Sequence, residues 1–522
     1  MRADQVVEGG IPQALLPHSL YHAVVAQVRE RPNQTAWVEP SHVRPVGDGL
    51  SGTHGVTWQE LLDRIHRLAT WLLKQGLERG DRVVNLGGNS LGWIVVDLAC
   101  NAIGCIHAPI DARRGEKDIR WCIEELAPTL VIGREGLEVD LSALPDPSTR
   151  QRDEWLEEDR REDTATILWT SGTSSSPKGV MLSNVNLLSN ALAKLDAMPQ
   201  SATDLRLNLL PFSHAYARTC ELTAWILTGG VLGSVESSKD FLQAARRVRP
   251  TLINAVPSLY QVWIDTWESQ RKEQRGEGVT LADFFGGRIR QFASGGAAIQ
   301  SRLRDRFREG GLDIFQGYGL TEASPVVCSN RAGRGGEQAV LDGVGVPVQG
   351  VQCRVDDQGQ LLVRGPGVMQ GYWNDPIATA KRIQDGWLLT GDTLATTGLP
   401  ESAFHISGRI DDVQVLSNGM KFSPLPLESK VERIAQIQKA VLIGGDRSNP
   451  LLVVQFAEGV GVALNELLRQ VANELRDEPH HLHPKKVIVS KETWTTENGL
   501  RTWKGGINRR EIERRYGGIE EK

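Results

Sequence analysis

Between Thr166 and Asn184 the chain reads TILWTSGTSSSPKGVMLSN. An apolar strand, Ile167 to Trp169, runs directly into a loop of hydroxyl and glycine residues that closes on Pro177-Lys178-Gly179. Glycines let backbone N–H groups approach a phosphate closely, hydroxyls donate further hydrogen bonds, and a lysine neutralises charge. The loop is not of the Walker type, which needs Gly-Lys-Ser/Thr after four spacer residues. The bland alternative is an ordinary surface loop, and the fixed Pro-Lys-Gly ending argues against it.

The surroundings predict α/β layers. Thr57 and Glu60 form a capping box, and Leu61, Leu62, Ile65, Leu68, Ala69 and Leu72 recur at helical spacing until Gly76 and Gly80. Arg82 to Leu86 reads as a strand, Trp93 to Ile103 as a buried helix, and Thr129 to Ile132 as another strand. Alternation of this kind implies a largely parallel sheet. Polar, Gly/Pro-rich stretches near 39–55, 145–163, 267–280 and 330–342 read as surface loops. From about residue 409 the character changes. Two short apolar strands (Ala440 to Ile443, Leu451 to Phe456), a helix near Leu464 to Leu475 and a charged tail predict a separate small α+β domain.

Composition excludes several classes. Its 522 residues are too many for one ordinary domain, and 40% hydrophobic with 24% charged residues is a soluble globular balance. A net charge of −5 without a concentrated basic face argues against a nucleic-acid binder. Six scattered cysteines without a CxxC pair read as free buried thiols. The first residues carry no signal-peptide pattern, and the apolar stretch from Trp93 to Ile110 is broken by Asp97, Asn101 and His107. The expected location is the cytoplasm, with no transmembrane segment and peripheral membrane contact left open.

The loop Thr170 to Gly179 resembles the Thr-Ser-Gly-Thr-Thr-Gly-x-Pro-Lys-Gly loop of the adenylate-forming (AMP-binding) superfamily, with Ser175 in place of the second glycine. Three further segments resemble that family in order: Phe292-Ala-Ser-Gly-Gly-Ala-Ala298, Gln316-Gly-Tyr-Gly-Leu-Thr-Glu322, and Thr390-Gly-Asp392 followed by Arg409. The resemblance implies an ATP site. Thr170, Ser171, Gly172, Thr173, Ser174 and Lys178 would take the phosphates, and Gly295, Gly296 and Ala297 would lie against the adenine. Gln316 would reach the adenine amino group and Tyr318, between Gly317 and Gly319, would stack on the ring. Thr321 would touch the α-phosphate, Glu322 would hold Mg²⁺, and Asp392 with Arg409 would bind the ribose. A flat base wants an aromatic face and a hard cation a carboxylate oxygen. It also implies a large domain over 1–408 and a mobile lid over 409–522, hinged at about 409–412 with Asp411 at the pivot.

Three segments resemble the long-chain fatty acid–CoA ligases within that superfamily. They are Leu210-Pro-Phe-Ser-His-Ala-Tyr-Ala-Arg-Thr219, with Ala217 in place of a glutamate, Val415-Leu-Ser-Asn-Gly-Met-Lys-Phe-Ser-Pro424, and Glu497-Asn-Gly-Leu500 with Arg509-Arg-Glu-Ile512. The resemblance sets His214 beside the carboxylate site, against the alternative of a local hydrogen bond in a Pro/Ser loop. His480, His481 and His483 read as a solvated loop, since no cysteine or further ligand lies near them.

One departure bears on chemistry. The family's lid lysine belongs to a Lys-[Ile/Leu]-x-Arg-Arg pattern, and counting back from Arg509-Arg510 places Gly506 at that position. Deleting a cation that stabilises developing charge costs on the order of 10²–10³ in rate. If the segment is extended, Lys504 lies on the same face about 6.6 Å away, near the reach of a lysine. Either adenylation is crippled or Lys504 takes the role. Three functions stay open: an ATP- and Mg²⁺-dependent ligase joining a carboxylic acid to CoA, an acyl-adenylate former serving an acyl carrier protein, and a degraded nucleotide-binding homologue.

Overall fold

A computed structural model describes residues 5–6, 16–42, 55–133, 146–170, 177–273, 279–333, 341–395, 403–445, 447–456, 463–501 and 506–518. The fold is mixed α/β, as expected. It divides into two compact units, one of Met1–Arg354, Leu362–Thr390 and Leu399–Phe404, the other of Val355–Leu361, Gly391–Gly398 and His405–Lys522. The second unit thus takes in two short pieces that precede the expected boundary at 408.

The first unit holds a six-stranded sheet in the order Gly371–Tyr372, Gly179–Ser183, Thr164–Trp169, Ile106–Pro109, Arg82–Asn85, Leu130–Ile132. The last four are parallel and the first two antiparallel to their neighbours. Ile167 and Trp169 point into a core with Val84, Ile106 and Ile119. Gly179 is forced by this packing, because a methyl group there would lie 2.8 Å from Ile167 Cγ2.

A nine-stranded sheet in the same unit is parallel from Ile314–Gly319 through Gln291–Ser294, Leu252–Ala255, Leu205–Asn208 and Val231–Ser234 to Thr35–Val38. One face packs on edge-to-face aromatics that include Tyr260, Trp263, Phe285, Phe292 and Phe307. The helix Trp58–Lys74 starts at the Thr57/Glu60 capping box, and Leu91–Ile103 is buried as its continuous apolar run requires. Two expected loops contain helix. Thr149–Glu157 is capped by Ser148 with Gln151, and Pro257–Glu273 runs on past 267. Polar composition hid both, because an exposed helix needs few apolar positions.

The second unit carries the antiparallel pair Ile437–Ile443 and Leu451–Phe456, with Lys486–Val489 parallel to the latter. Helix Pro424–Val431 packs there, and its buried Glu428 receives two 2.7 Å hydrogen bonds from Arg509. All six cysteines are free and buried. Among the described residues no helix is long and apolar enough to cross a membrane. His480–Leu482 forms a single 3₁₀ turn whose carbonyls accept from Asn449, and no group of three metal-ligating residues occurs among the described residues.

Candidate active site

The loop after Trp169 is closed at its base by backbone geometry. Trp169 pairs with Gly179, and Thr170 N–H donates to the Lys178 carbonyl at 3.0 Å. Lys178 N–H in turn donates to Thr170 Oγ1 at 3.3 Å. This small ring fixes where the Lys178 side chain leaves the sheet. Ser171, Gly172, Thr173 and Ser174, with Ser175, lie outside the described residues.

Lys178 Nζ stands 4.9 Å over the Tyr372 ring and 3.9 Å from Asp375 Oδ2. Both partners belong to one segment. Gly371 and Tyr372 pair with Met181 and Val180, and Asp375 caps the helix Pro376–Arg382 by accepting from Ala378 N–H at 2.8 Å. Glu322, on the 3₁₀ turn Thr321–Ala323, accepts from Tyr372 Oη at 2.8 Å and lies 3.7 Å from Arg382. Lys178 and Glu322 are therefore tied to the same tyrosine. Sequence reading missed Tyr372, Asp375 and Arg382. The Asp-Pro helix start was legible, but which side chains it would meet was not.

Gln316 is buried, its backbone N–H donating to Asn330 Oδ1 at 2.7 Å while Asn330 N–H donates back to the Gln316 carbonyl. Gly317 and Tyr318 are half-buried and Thr321 likewise. At Gly319 a methyl group would lie 1.8 Å from the Pro325 carbonyl oxygen, so close backbone approach dictates glycine there. Gly296 and Ala297 are exposed, while Gly295 packs under the Tyr216 ring, whose hydroxyl donates to the Ala293 carbonyl.

His214 begins the turn Ala215–Ala217, with Nε2 3.8 Å from Asp111 Oδ2. Burial alone would raise the Asp111 pKa. Hydrogen bonds from Arg113 and the nearby His214 outweigh it and leave it below the usual carboxylate range. Ala217 is fully buried, and Arg218 beside it reaches Asp97 at 2.9 Å, which also contacts His107 Nδ1 at 3.0 Å. The arginine thus has its carboxylate without the glutamate that Ala217 replaces.

In the second unit, Asp392 and Arg409 face each other across an antiparallel pair, with Oδ1 3.6 Å from Nη1. Asp392 is buried and Arg409 half-exposed. Asp411 is exposed on the 3₁₀ turn Ile410–Asp412. Lys504 lies outside the described residues, and Gly506 is exposed. Arg501 and Ile507, which flank this segment, pair antiparallel.

Residues 24–373 match the AMP-binding enzyme family and residues 411–520 the AMP-binding enzyme C-terminal domain. This chain belongs to the AMP-binding enzyme family. It is 27% identical over 494 residues to a feruloyl-CoA synthase of Amycolatopsis sp, covering 89% of this chain and 95% of that one. It is 28% identical over 461 residues to the long-chain-fatty-acid–CoA ligase FadD15 of Mycobacterium tuberculosis, covering 74% and 75%. Its fold is that of ATP-bound MatB from Rhodopseudomonas palustris, with a TM-score of 0.77 at 21% identity over 97% of this chain and all of that one.

Proposed function

We propose that this protein is an ATP-dependent acid–thiol ligase that converts a carboxylic acid to its acyl-adenylate and then to a thioester with CoA. The observation that carries the reading is the convergence of Lys178 and Glu322 on Tyr372. The residues proposed as phosphate-binding cation and metal-binding carboxylate thus share one side chain as partner. The donor chemistry fits Mg²⁺, which prefers oxygen ligands and is commonly held by one or two carboxylates together with substrate phosphates. Glu322 is a single carboxylate with acceptor sites beyond the one Tyr372 uses. Phosphate oxygens and water would complete the shell.

The carboxylate of the acid attacks the α-phosphorus, the bond to pyrophosphate breaks, and the thiol later displaces AMP from the acyl carbon. Lys178 offsets the charge that gathers on the phosphates, and Thr321 donates to the α-phosphate. Tyr318 and Gln316 hold the base, and Asp392 with Arg409 the ribose. His214, oriented toward Asp111, borders the carboxylate end of the acid. Residues 409–522 act as the lid and turn about Asp411, and Lys504 supplies the cation that Gly506 cannot.

The acid is proposed to be a medium- or long-chain fatty acid, on the strength of the three ligase-like segments and the likeness to FadD15. The feruloyl-CoA synthase covers more of this chain and favours an aromatic acid as the second reading. Carboxylate-dependent ATP–pyrophosphate exchange with Mg²⁺, run with acetate to oleate and with ferulate, tests both. Exchange with the longer alkanoates is expected, and exchange with ferulate alone replaces the fatty-acid reading. ATP binding with no exchange for any acid replaces the ligase reading with a degraded homologue. Release of product to an acyl carrier protein rather than CoA would move the second half-reaction.

A further inference from the structure

Tyr372 occupies the junction of two groups without belonging to either motif. Its hydroxyl donates to Glu322 Oε1 at 2.8 Å, and its ring lies 4.9 Å below Lys178 Nζ. Its own position is fixed from three sides. Its backbone pairs with Val180, two residues beyond Lys178. Its N–H donates to Thr379 Oγ1 at 2.9 Å, which ties it to the helix Pro376–Arg382. The residue as a whole is only 7% exposed. From the last turn of that helix Arg382 approaches the same Glu322 oxygen, at 3.7 Å, and donates to the Thr390 carbonyl at 3.0 Å.

Among the described residues, the Tyr372 hydrogen bond and the nearest approach of Arg382 both fall on Oε1, and Oε2 is the oxygen offered to a cation. The last torsion of a glutamate is broad and roughly two-fold, so an unrestrained carboxylate would present its oxygens over a wide arc. A phenol hydroxyl on one oxygen removes that freedom. The ring does a second job, since an ammonium over an aromatic face is attracted by the ring quadrupole.

We propose that Tyr372 is a positioning residue for the nucleotide's metal, turning the Glu322 carboxylate so that Oε2 meets Mg²⁺ while its ring keeps Lys178 beside the phosphates. The proposal rests on the ATP reading above. Tyr372→Phe separates the two jobs, because it removes the hydroxyl and keeps the ring. The measurement is calorimetric binding of ATP to the full chain, with Mg²⁺ and with a chelator. For Tyr372→Phe, chelated ATP is expected to bind within about twofold of wild type, while the gain in affinity on adding Mg²⁺ shrinks by about tenfold, the scale of one hydrogen bond to a charged group. Tyr372→Leu, which also removes the platform under Lys178, is expected to weaken chelated ATP as well. An unchanged Mg²⁺ response in Tyr372→Phe, or an equal loss with and without Mg²⁺, overturns the role. A wild type that binds no ATP removes the ATP reading and this proposal together, so the two failures are told apart by the wild-type titration.

Discussion

At Gly319 the backbone leaves no space for a methyl group, which would sit 1.8 Å from the Pro325 carbonyl oxygen and 2.6 Å from its carbon. Neither atom can swing aside as a side chain could. Gly319→Ala is therefore expected to displace the turn that carries Thr321 and Glu322, costing about 1–3 kcal/mol in a denaturant titration, as overpacking does. ATP affinity should fall with it, and full stability with normal binding would contradict the steric account. A second residue-scale prediction concerns His66, whose pKa burial lowers from 6.5 to about 4. Its Nε2 meets the Tyr21 hydroxyl at 3.0 Å. Because the folded pKa lies below the unfolded one, the unfolded chain binds the extra proton between pH 6.5 and 4, so stability falls as pH falls across that window. The full effect is roughly 3 kcal/mol at about 1.4 kcal/mol per pKa unit. Replacement by Gln, which does not titrate there, should flatten the fall in urea midpoint; an unchanged slope would place the proton elsewhere.

Among elements, the π-helical stretch Arg218–Thr223 follows directly from the turn that begins at His214 and is fastened from within. Arg218 bonds Asp97 on the helix Leu91–Ile103, and Asp97 bonds His107 on the strand Ile106–Pro109, all three side chains being within 2% of full burial. Burial would raise the Asp97 pKa, but Arg218 and His107 outweigh it and hold the carboxylate ionised. Arg218→Met leaves that charge without its main partner, and loss of one member of a buried pair typically costs about 3–5 kcal/mol. Thermal unfolding should reveal a loss of that size, and a change below about 1 kcal/mol would mean that Asp97 neutralises at little cost. The Arg-Thr run after the Ser-His turn was legible in the sequence as a motif. Its partner was not, because Asp97 looked only like an interruption of an apolar stretch. A carboxylate there becomes favourable once an arginine 121 residues away is folded against it.

For the whole molecule, each unit has its own apolar core, in the second built on Leu427, Val431, Leu442, Leu452, Leu467 and Val471. Two separately packed units predict unfolding in more than one step. Arg509→Met, which strips the buried Glu428 of its two 2.7 Å hydrogen bonds, should lower one calorimetric transition and leave the other in place. A uniform shift of both would show that the chain melts as a single cooperative body. The Arg509-Arg510 pair marked the place of the lid lysine in the sequence, and Arg509 is fastened to Glu428 inside the second unit's own fold. Local pattern by itself determined the α/β class, the capped helix at Thr57 and the apolar strand that runs into the loop Thr170 to Gly179. Each depends on contacts within a few residues or on composition at a fixed period. Tertiary structure alone decided that Lys178 and Glu322 meet on Tyr372, that Asp97 answers Arg218, and that Gly319 yields to the Pro325 carbonyl. Those pairings join residues far apart in the chain, and their energy exists only after the intervening chain has folded and excluded water from between them.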